Sequence, residues 1–237
     1  MDIKRQNYIK QFDQKKFQII TEYIKEKQNN NNIVLDIGCG YGKYSKFYAG
    51  NAKYIGVNID TNELHIARKT NAKYGYNFIK ADANNISFIK NETIDMILLI
   101  YVIEHINNPA SLFSNISRIL KKNGIVIIWT PNIYSIGGFL ISIIPNSLKF
   151  FIKRNLTKTS EQYPTYYKAN SIKKLLYYAS MNNLSLDRLI THSEIGYLYK
   201  YPGFYHLNNL FVKIFKLKQL EKFRSAILIS FRKKNIG

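Results

Sequence analysis

Apolar and polar positions along the first half of the chain form alternating blocks of two kinds. Short apolar runs predict β-strands at 33–37, 52–59, 76–80, 93–101 and 125–130. The segments between them have helical periodicity and predict helices at 42–50, 61–72 and 109–121. Strands that alternate with helices at this spacing indicate an α/β fold with a doubly wound, mostly parallel sheet and helices on both faces.

The pattern changes on either side of this core. An imperfect apolar stripe predicts a helix at 7–28, and residues 170–182 predict another, capped by Asn170 or Ser171. Alternation predicts strands at 184–192 and 225–234, and 204–224 has the pattern of an amphipathic basic helix. We expect a single domain over 1–237: an N-terminal helix within 1–30, a core at 33–132, an insertion-rich acceptor region with one strand at 133–224, and a last strand at 225–234.

The charge of the chain is strongly positive and uneven. Thirty-five Lys and Arg face 15 Asp and Glu; residues 1–145 have a net charge of +7 and residues 146–237 a net charge of +13. A basic C-terminal region favours an anionic neighbour such as nucleic acid, a phospholipid surface or a phosphorylated substrate. An AT-rich genome, which favours Lys, Asn, Ile and Tyr codons, explains the same composition without any partner.

Cysteine content and hydropathy narrow the class of protein. Cys39 is the single cysteine, which excludes disulfides and cysteine-based metal sites, and we expect no metal. The N-terminal residues lack the apolar region of a signal peptide, and no apolar run approaches the roughly 18–20 residues that span a bilayer. We therefore expect a cytoplasmic protein.

The stretch "VLDIGCGYGKYS" (34–45) places a glycine-rich turn directly after the first predicted strand. Tyr44 follows Gly42-Lys43, so the Gly-Lys-Ser/Thr ending of a triphosphate loop is missing, and Lys43 stands where a dinucleotide fingerprint has its third glycine. Asp36 would repel a pyrophosphate but suits the ammonium and sulfonium of S-adenosylmethionine (SAM). The loop favours SAM, and Asp36 has a second possible role in fastening the loop by hydrogen bonds.

This loop resembles the first motif of class I SAM-dependent methyltransferases of the methyltransferase type 11 group. Four later segments resemble that family in the expected order: "YIGVNID" (54–60), "KADANNISF" (80–88), "YVIEHINNP" (101–109) and "LKKNGIVIIWTPN" (120–132). The resemblance covers roughly residues 30–132. It implies SAM as cofactor and a Rossmann-like sheet of order 3-2-1-4-5-7-6 with an antiparallel strand near the C-terminus. More loosely, "EQYPTYYKANSIKKLL" (161–176) resembles methyltransferases of bacterial polysaccharide-type gene clusters.

The resemblance also implies a cofactor site. The methionine part of SAM would lie against Asp36, Gly38, Cys39 and Gly40, and the adenine against Asp82 and the backbone of Ala83. The family usually has an acid at the end of the second strand that holds both ribose hydroxyls, but this chain has Asn58 there. Asp60 points to the same side of an extended strand. Either residue would then hold the ribose, or SAM binding is weakened and the chain is a non-catalytic Rossmann-like binding protein.

Methyl transfer from a sulfonium is an in-line displacement, for which the enzyme supplies alignment and excludes water. An alcohol acceptor also benefits from a general base. Glu104 and His105 follow the fourth strand, at the edge where such sheets bind ligands, and imidazole has an ordinary pKa near 6.5. We expect His105, with Glu104, to be catalytic; the alternative is that the pair only shapes the turn. Residues that would line the acceptor pocket, or only pack, are Tyr101, Thr130, Asn132 and Tyr134.

Two segments bear on the acceptor. Residues 133–154 are apolar with a basic edge and suit either a lid or a peripheral membrane contact. Tyr163, Tyr166 and Tyr167 would suit sugar faces. We therefore expect O-methylation of a small-molecule, glycan or lipid-type acceptor. An RNA methyltransferase is the alternative, because of the basic C-terminal region. DNA is not expected, because T-P-N replaces the N-P-P-Y type motif of amine methylation.

Overall fold

The computed structural model describes residues 3–29, 31–48, 53–135, 163–192, 214 and 217–235. Four α-helices are present in these ranges: α1 (Ile3–Lys27), α2 (Thr61–Thr70), α3 (Pro109–Ile119) and α4 (Ile172–Ser180). Seven strands form one sheet: β1 (Ile33–Ile37), β2 (Lys53–Asn58), β3 (Asn77–Lys80), β4 (Ile94–Ile100), β5 (Leu120–Pro131), β6 (Leu184–His192) and β7 (Ala226–Lys233).

The strand order is β3-β2-β1-β4-β5-β7-β6, which confirms the predicted topology. The pairs from β3 to β5 are parallel, and β7 pairs antiparallel with both β5 and β6. Asp36 of β1 aligns with Gly56 of β2 on one side and Leu98 of β4 on the other. The carboxyl ends of these three strands therefore meet at one edge of the sheet, at the point where the strand order reverses and such folds bind ligands.

Alternating side chains of the sheet build two cores. Leu35 and Ile37 face one cluster, to which α3 and α4 contribute Phe113 and Leu175. On the opposite face the residues that pack together are Val34, Tyr54, Met96 and Leu98 with Ile20 and Ile24 of α1 and Leu64 and Ala67 of α2. Helices thus cover both faces. The central strand β4 is buried on both sides, which is why its sequence is a continuous apolar run.

Helix α1 is held against β6 by a polar network. The Tyr23 hydroxyl donates to Asp187 Oδ2 at 2.7 Å, and Arg188 makes two hydrogen bonds of 2.7 Å to Glu26. Burial alone would raise the pKa of Asp187, but hydrogen bonds from Tyr23 and Arg232 outweigh it and lower the pKa to about 2. Asp187 is therefore ionised at neutral pH and ties α1 to the edge of the sheet.

The helix predicted at 42–50 is wrong as far as these residues are described. Residues 41–44 form turns and only Ser45–Tyr48 form a short 3-10 helix. Gly42 has φ +73°, a left-handed conformation that an α-helix cannot contain. The local glycine conformation therefore overrides the apolar periodicity that suggested a helix.

Two other boundaries differ from the predictions. The sequence pattern at 61–72 also favours Thr61 as the N-cap of that helix, but Asp60 caps α2: its Oδ1 accepts from the backbone N–H of Asn62 at 2.7 Å and of Glu63 at 2.9 Å. Strand β5 begins at Leu120 rather than 125, because Leu120 pairs with Ile94 of β4.

Only some of the elements predicted for the C-terminal part of the chain lie among the described residues. Ser171 caps α4, as one of the two predicted alternatives. Of the segment 204–224, only residue 214 and residues from 217 onward are described, with a 3-10 helix at Lys218–Phe223. The segment 133–154 lies outside the described residues beyond position 135. Within the described part of the chain, no helix has the length and apolar character needed to cross a membrane.

Candidate functional site

The turn after β1 is held close to the ends of β2 and β4. The backbone N–H groups of Gly38 and Cys39 both donate to the carbonyl of Val57, at 2.7 and 3.1 Å. Gly38 has φ +72°, and a Cβ at this position would overlap Val102, directly after β4. Only glycine meets both demands, so Gly38 allows the turn to pack closely against the ends of β2 and β4.

A buried pair that the sequence analysis missed fastens this turn from below. The Ser45 hydroxyl lies 2.7 Å from the carbonyl of Gly42 and 2.5 Å from Asn71 Oδ1. Asn71 Nδ2 in turn donates to the carbonyl of Ala67 in α2. The glycine turn is therefore bonded to the helix that follows β2.

Asp36 lies under the turn and is almost wholly buried. The Tyr54 hydroxyl donates to Asp36 Oδ2 at 2.5 Å, and no cationic side chain pairs with Asp36 among the described residues. Burial raises the pKa of Asp36 to about 7, although the Tyr54 hydrogen bond opposes this. Burial and the nearby Asp36 charge likewise raise the pKa of the Cys39 thiol. The site thus holds a carboxylate whose charge a cationic ligand would stabilise.

Asn58, the last residue of β2, is buried and pairs with a side chain of α2. Its Nδ2 donates to Glu63 Oε2 at 2.6 Å. A Cβ at Gly40 would lie 3.7 Å from the same Glu63 oxygen, so the carboxylate sits beside the glycine turn. Glu63 was not among the residues predicted to form the site. The signal that could have identified it is its place in the first turn of a helix that starts at the ligand-binding edge.

Asp60, the other predicted ribose partner, is already engaged. The backbone N–H groups of Glu63 and Asn62 lower its pKa, and the Tyr163 hydroxyl is a further hydrogen-bond partner. Burial and the charges of Asp60 and Glu63 raise the pKa of Tyr163 to about 12. Tyr163 therefore joins the segment that precedes α4 to the edge of the sheet at β2.

Asp82 and Ala83, predicted at the adenine, follow β3. Asp82 is exposed, and its Oδ1 accepts from the backbone and side-chain N–H groups of Asn84 at 2.8 and 2.9 Å. Beside it is a shallow depression with apolar walls from Ile79 and Phe88, both exposed. Such a surface suits a flat, partly polar ring.

The ends of β4 and β5 meet through a buried polar network. Thr130 donates to Glu104 Oε2 at 3.1 Å, and Asn170 Nδ2 donates to the Thr130 hydroxyl at 2.5 Å. The carbonyl of Glu104 accepts from the backbone N–H groups of Tyr166 and Tyr167, at 2.7 and 3.2 Å. Glu104 is thus a buried anchor for residues 163–171, which lie over this end of the sheet.

His105 lies next to that anchor. Its Nδ1 is 2.9 Å from the carbonyl oxygen of Pro164, and its ring makes an edge contact with Tyr163 at 6.0 Å between centroids. A carbonyl oxygen only accepts, so Nδ1 carries the proton and the neutral ring has its lone pair on Nε2. This tautomer is the one in which Nε2 can accept a proton.

The remaining residues predicted to line the acceptor pocket are not equally free to contact an acceptor. Asn132 is buried, and its Nδ2 donates to the carbonyls of Lys222 and Arg224, both at 2.8 Å. Tyr134 is exposed, and Tyr101, at φ +60°, stacks under Lys16. Asn132 therefore holds the segment before β7, while the two tyrosines remain candidates for contact with an acceptor.

His192 lies on β6, with its ring 6.4 Å from that of Trp129. Burial, with the nearby charges of Lys15 and Arg224, lowers the pKa of His192 to about 4. His192 is therefore neutral at neutral pH and was not among the predicted catalytic residues.

Comparison with known proteins agrees with this geometry. Residues 35–128 match the family model described as a methyltransferase domain (Methyltransf_11). A ubiquinone biosynthesis O-methyltransferase of Actinobacillus pleuropneumoniae serotype 7 is 26% identical over 177 residues, 71% of this chain and 73% of that protein. The protein of the same name from Glaesserella parasuis serovar 5 is 32% identical, and the match covers 46% of this chain and 50% of that one.

Among solved structures, a geranyl diphosphate methyltransferase in complex with SAM has a TM-score of 0.62 at 12% identity, covering 91% of this chain and 84% of its own. At this identity the likeness concerns the fold. Solved structures of this fold hold SAM, which is the cofactor that the sequence predicts. The motifs, the strand order and these matches agree with one another. Residues 35–128 are similar to methyltransferase domains, and the chain has a Rossmann-like methyltransferase fold.

Proposed function

We propose that this enzyme transfers the methyl group of SAM to a hydroxyl oxygen of a small-molecule acceptor, with His105 as general base. The observation that carries the proposal is the hydrogen bond of 2.9 Å between His105 Nδ1 and the Pro164 carbonyl. It holds the imidazole at the ligand-binding edge in the tautomer that accepts a proton at Nε2. The O-methyltransferase names of the curated relatives support the same reaction type.

The residues at the edge of the sheet fit SAM. Gly38 and Gly40 carry no side chain and have positive φ, so a ligand can approach the backbone closely at these positions. The carboxylate of Asp36 beneath the turn favours the ammonium and sulfonium of the methionine part. We assign Gly38, Cys39 and Gly40 to that part. Bound SAM supplies an activated methyl group on sulfur; the protein aligns it and excludes water.

The adenine end of the site is assigned to the depression after β3. The Asp82 carboxylate would accept from the adenine amino group, and the backbone of Ala83 would lie against the ring. Ile79 and Phe88 offer the apolar walls that a flat base needs.

The segment 163–171 is proposed to cover the reacting groups. It is attached at both sides of the site, to Asp60 through Tyr163 and to Glu104 through two backbone N–H groups. This placement would shield the transfer from water and hold His105 through Pro164. Glu104 is buried against Thr130, so we propose that it positions His105 and the segment rather than meeting the acceptor itself.

A methylation screen tests the proposal. The purified enzyme is incubated with radiolabelled SAM and separate panels of small-molecule alcohols and phenols, glycans, lipid-linked alcohols and total RNA. We expect label in a hydroxyl compound, with the small-molecule panel as the first candidate. Transfer of label to RNA alone would contradict the proposed acceptor class while leaving SAM as the donor.

A further inference from the structure

The carboxylate of Glu63 lies beside the position where an acid would be expected at the end of β2. That position is Asn58, which is buried and uncharged. Its Nδ2 donates to Glu63 Oε2 at 2.6 Å. Side chains in a helix lean toward its N-terminus, and α2 begins at the ligand-binding edge. The negative charge missing from the strand is therefore supplied by the first turn of the next helix.

The carboxylate of Glu63 lies next to the glycine turn. A Cβ at Gly40 would lie 3.7 Å from Glu63 Oε2. Glu63 is partly exposed, and Asn58 is the one side chain found to donate to it among the described residues. Its second carboxylate oxygen can thus accept from a ligand between β2 and the turn.

Asp60 is less suited to the same task. Its Oδ1 accepts from the backbone N–H groups of Asn62 and Glu63, which caps α2, and it also bonds the Tyr163 hydroxyl. A ligand that took these acceptor sites would uncap the helix.

The 2′- and 3′-hydroxyls of a ribose form a pair of donors, and a charged acceptor binds them more strongly than a neutral one. The amide of Asn58 can hold the carboxylate with its N–H and offer its own oxygen alongside. We propose that Glu63 accepts hydrogen bonds from the ribose hydroxyls of the cofactor and that Asn58 is its positioning residue. This inference rests on the cofactor site assigned under the proposed function.

Calorimetric titration tests the role of Glu63 without measuring turnover. The ligands are S-adenosylhomocysteine and its 2′,3′-dideoxy analogue, which lacks both ribose hydroxyls. We expect Glu63→Gln to weaken S-adenosylhomocysteine binding by about 10- to 100-fold and to leave binding of the dideoxy analogue nearly unchanged. The matched control is Glu22→Gln, which removes an exposed carboxylate that also accepts from an amide, Gln18 Nε2 at 2.7 Å. The control should bind both ligands as the wild type does.

An exchange of the amide and the carboxylate between positions 58 and 63 tests whether Asn58 and Glu63 act as a pair. Asn58→Asp alone places two carboxylates within hydrogen-bond distance and should weaken binding, because like charges repel. Adding Glu63→Gln restores one acid and one amide, and we expect affinity to return to within about tenfold of the wild type. Thermal unfolding of each unliganded variant checks its fold.

Three outcomes would overturn the inference. Equal affinity of the wild type and a folded Glu63→Gln for S-adenosylhomocysteine would show that Glu63 does not hold the ribose. Equal weakening of both ligands by Glu63→Gln would show that the residue acts elsewhere than on the hydroxyls. A wild type that binds neither ligand would remove the cofactor site itself, and the two failures are thus distinguishable.

Discussion

The Tyr54 hydroxyl donates to Asp36 Oδ2 at 2.5 Å, across the neighbouring strands β1 and β2 and beneath the glycine turn. Both side chains are almost wholly buried. One neutral donor does not replace the water that a carboxylate loses on burial, so the pKa of Asp36 rises to about 7. The site therefore carries a group that destabilises the unliganded fold when it is ionised.

Substitution Asp36→Asn should remove the destabilisation that the buried, ionised carboxylate of Asp36 causes. The pKa of Asp36 is higher in the folded than in the unfolded state, so the folded state keeps a proton that the unfolded state loses. The contribution of Asp36 to stability therefore falls as pH rises from about 4 to about 7, by at most about 4 kcal/mol, and stays low above that range. Urea unfolding should show that the free energy of unfolding falls less between pH 5 and pH 8 in the variant than in the wild type. Identical losses in both proteins would contradict the account.

The glycine turn gives a second prediction. Gly38→Ala should destabilise the enzyme by about 3 kcal/mol or more, because the added methyl group overlaps Val102 and the residue has φ +72°. Gly75→Ala is the matched control, with φ +65° and no atom within 4 Å of its Cβ, and should cost only about 1 kcal/mol. Thermal unfolding compares the two. An equal effect would mean that the contact with Val102 is unimportant.

Helix α1 should depend on Asp187. Asp187→Asn removes the charge that accepts from Tyr23 and Arg232, and we expect a loss of about 2 kcal/mol at pH 7. Because the pKa of Asp187 is lower in the folded state, the wild type should lose this contribution as pH falls from about 4 to about 2. Unfolding as a function of pH measures both effects. Glu26→Gln, which breaks an exposed pair with Arg188, serves as the control and should destabilise less.

The proposed base gives a kinetic prediction. His105→Ala should lower kcat by roughly 10²- to 10⁴-fold, because the acceptor hydroxyl loses its proton acceptor. Affinity for S-adenosylhomocysteine should remain within about threefold, since the contacts of His105 with Pro164 and Tyr163 lie in the segment before α4 and the cofactor is assigned to the glycine turn. Exposed His65 on α2 provides the control, and His65→Ala should leave kcat unchanged. An unchanged kcat in a folded His105→Ala would show that no base is needed at this position.

The central sheet was predictable because its strands are buried and apolar. The run at Ile94–Ile100 lies between two cores, so its composition alone identifies a strand. The turn at Gly42 was not predictable from periodicity, because a positive φ leaves no trace in the pattern of apolar residues. The longer β5 also escaped prediction, since Leu120 joins the sheet only through its partner Ile94.

The sequence motifs predict candidate site residues at the ends of the strands, but they do not predict the contacts between distant segments. The pairing of Asn58 with Glu63 spans a strand end and a helix start, so it depends on the angle between those elements. His105 and Pro164 are separated by 59 residues, and nothing local indicates that a carbonyl there fixes the imidazole tautomer. The calorimetric experiments on Asn58 and Glu63 test the first of these contacts, and the His105→Ala kinetics test the second.

The most direct test of the account is to follow the methyl group itself. The enzyme is given SAM with a ¹³C-labelled methyl group and the hydroxyl acceptor found in the screen, and the product is analysed by carbon NMR. The account predicts a new signal in the O-methyl region that does not form without the enzyme. A label on nitrogen or carbon, or label found only in RNA, would contradict it.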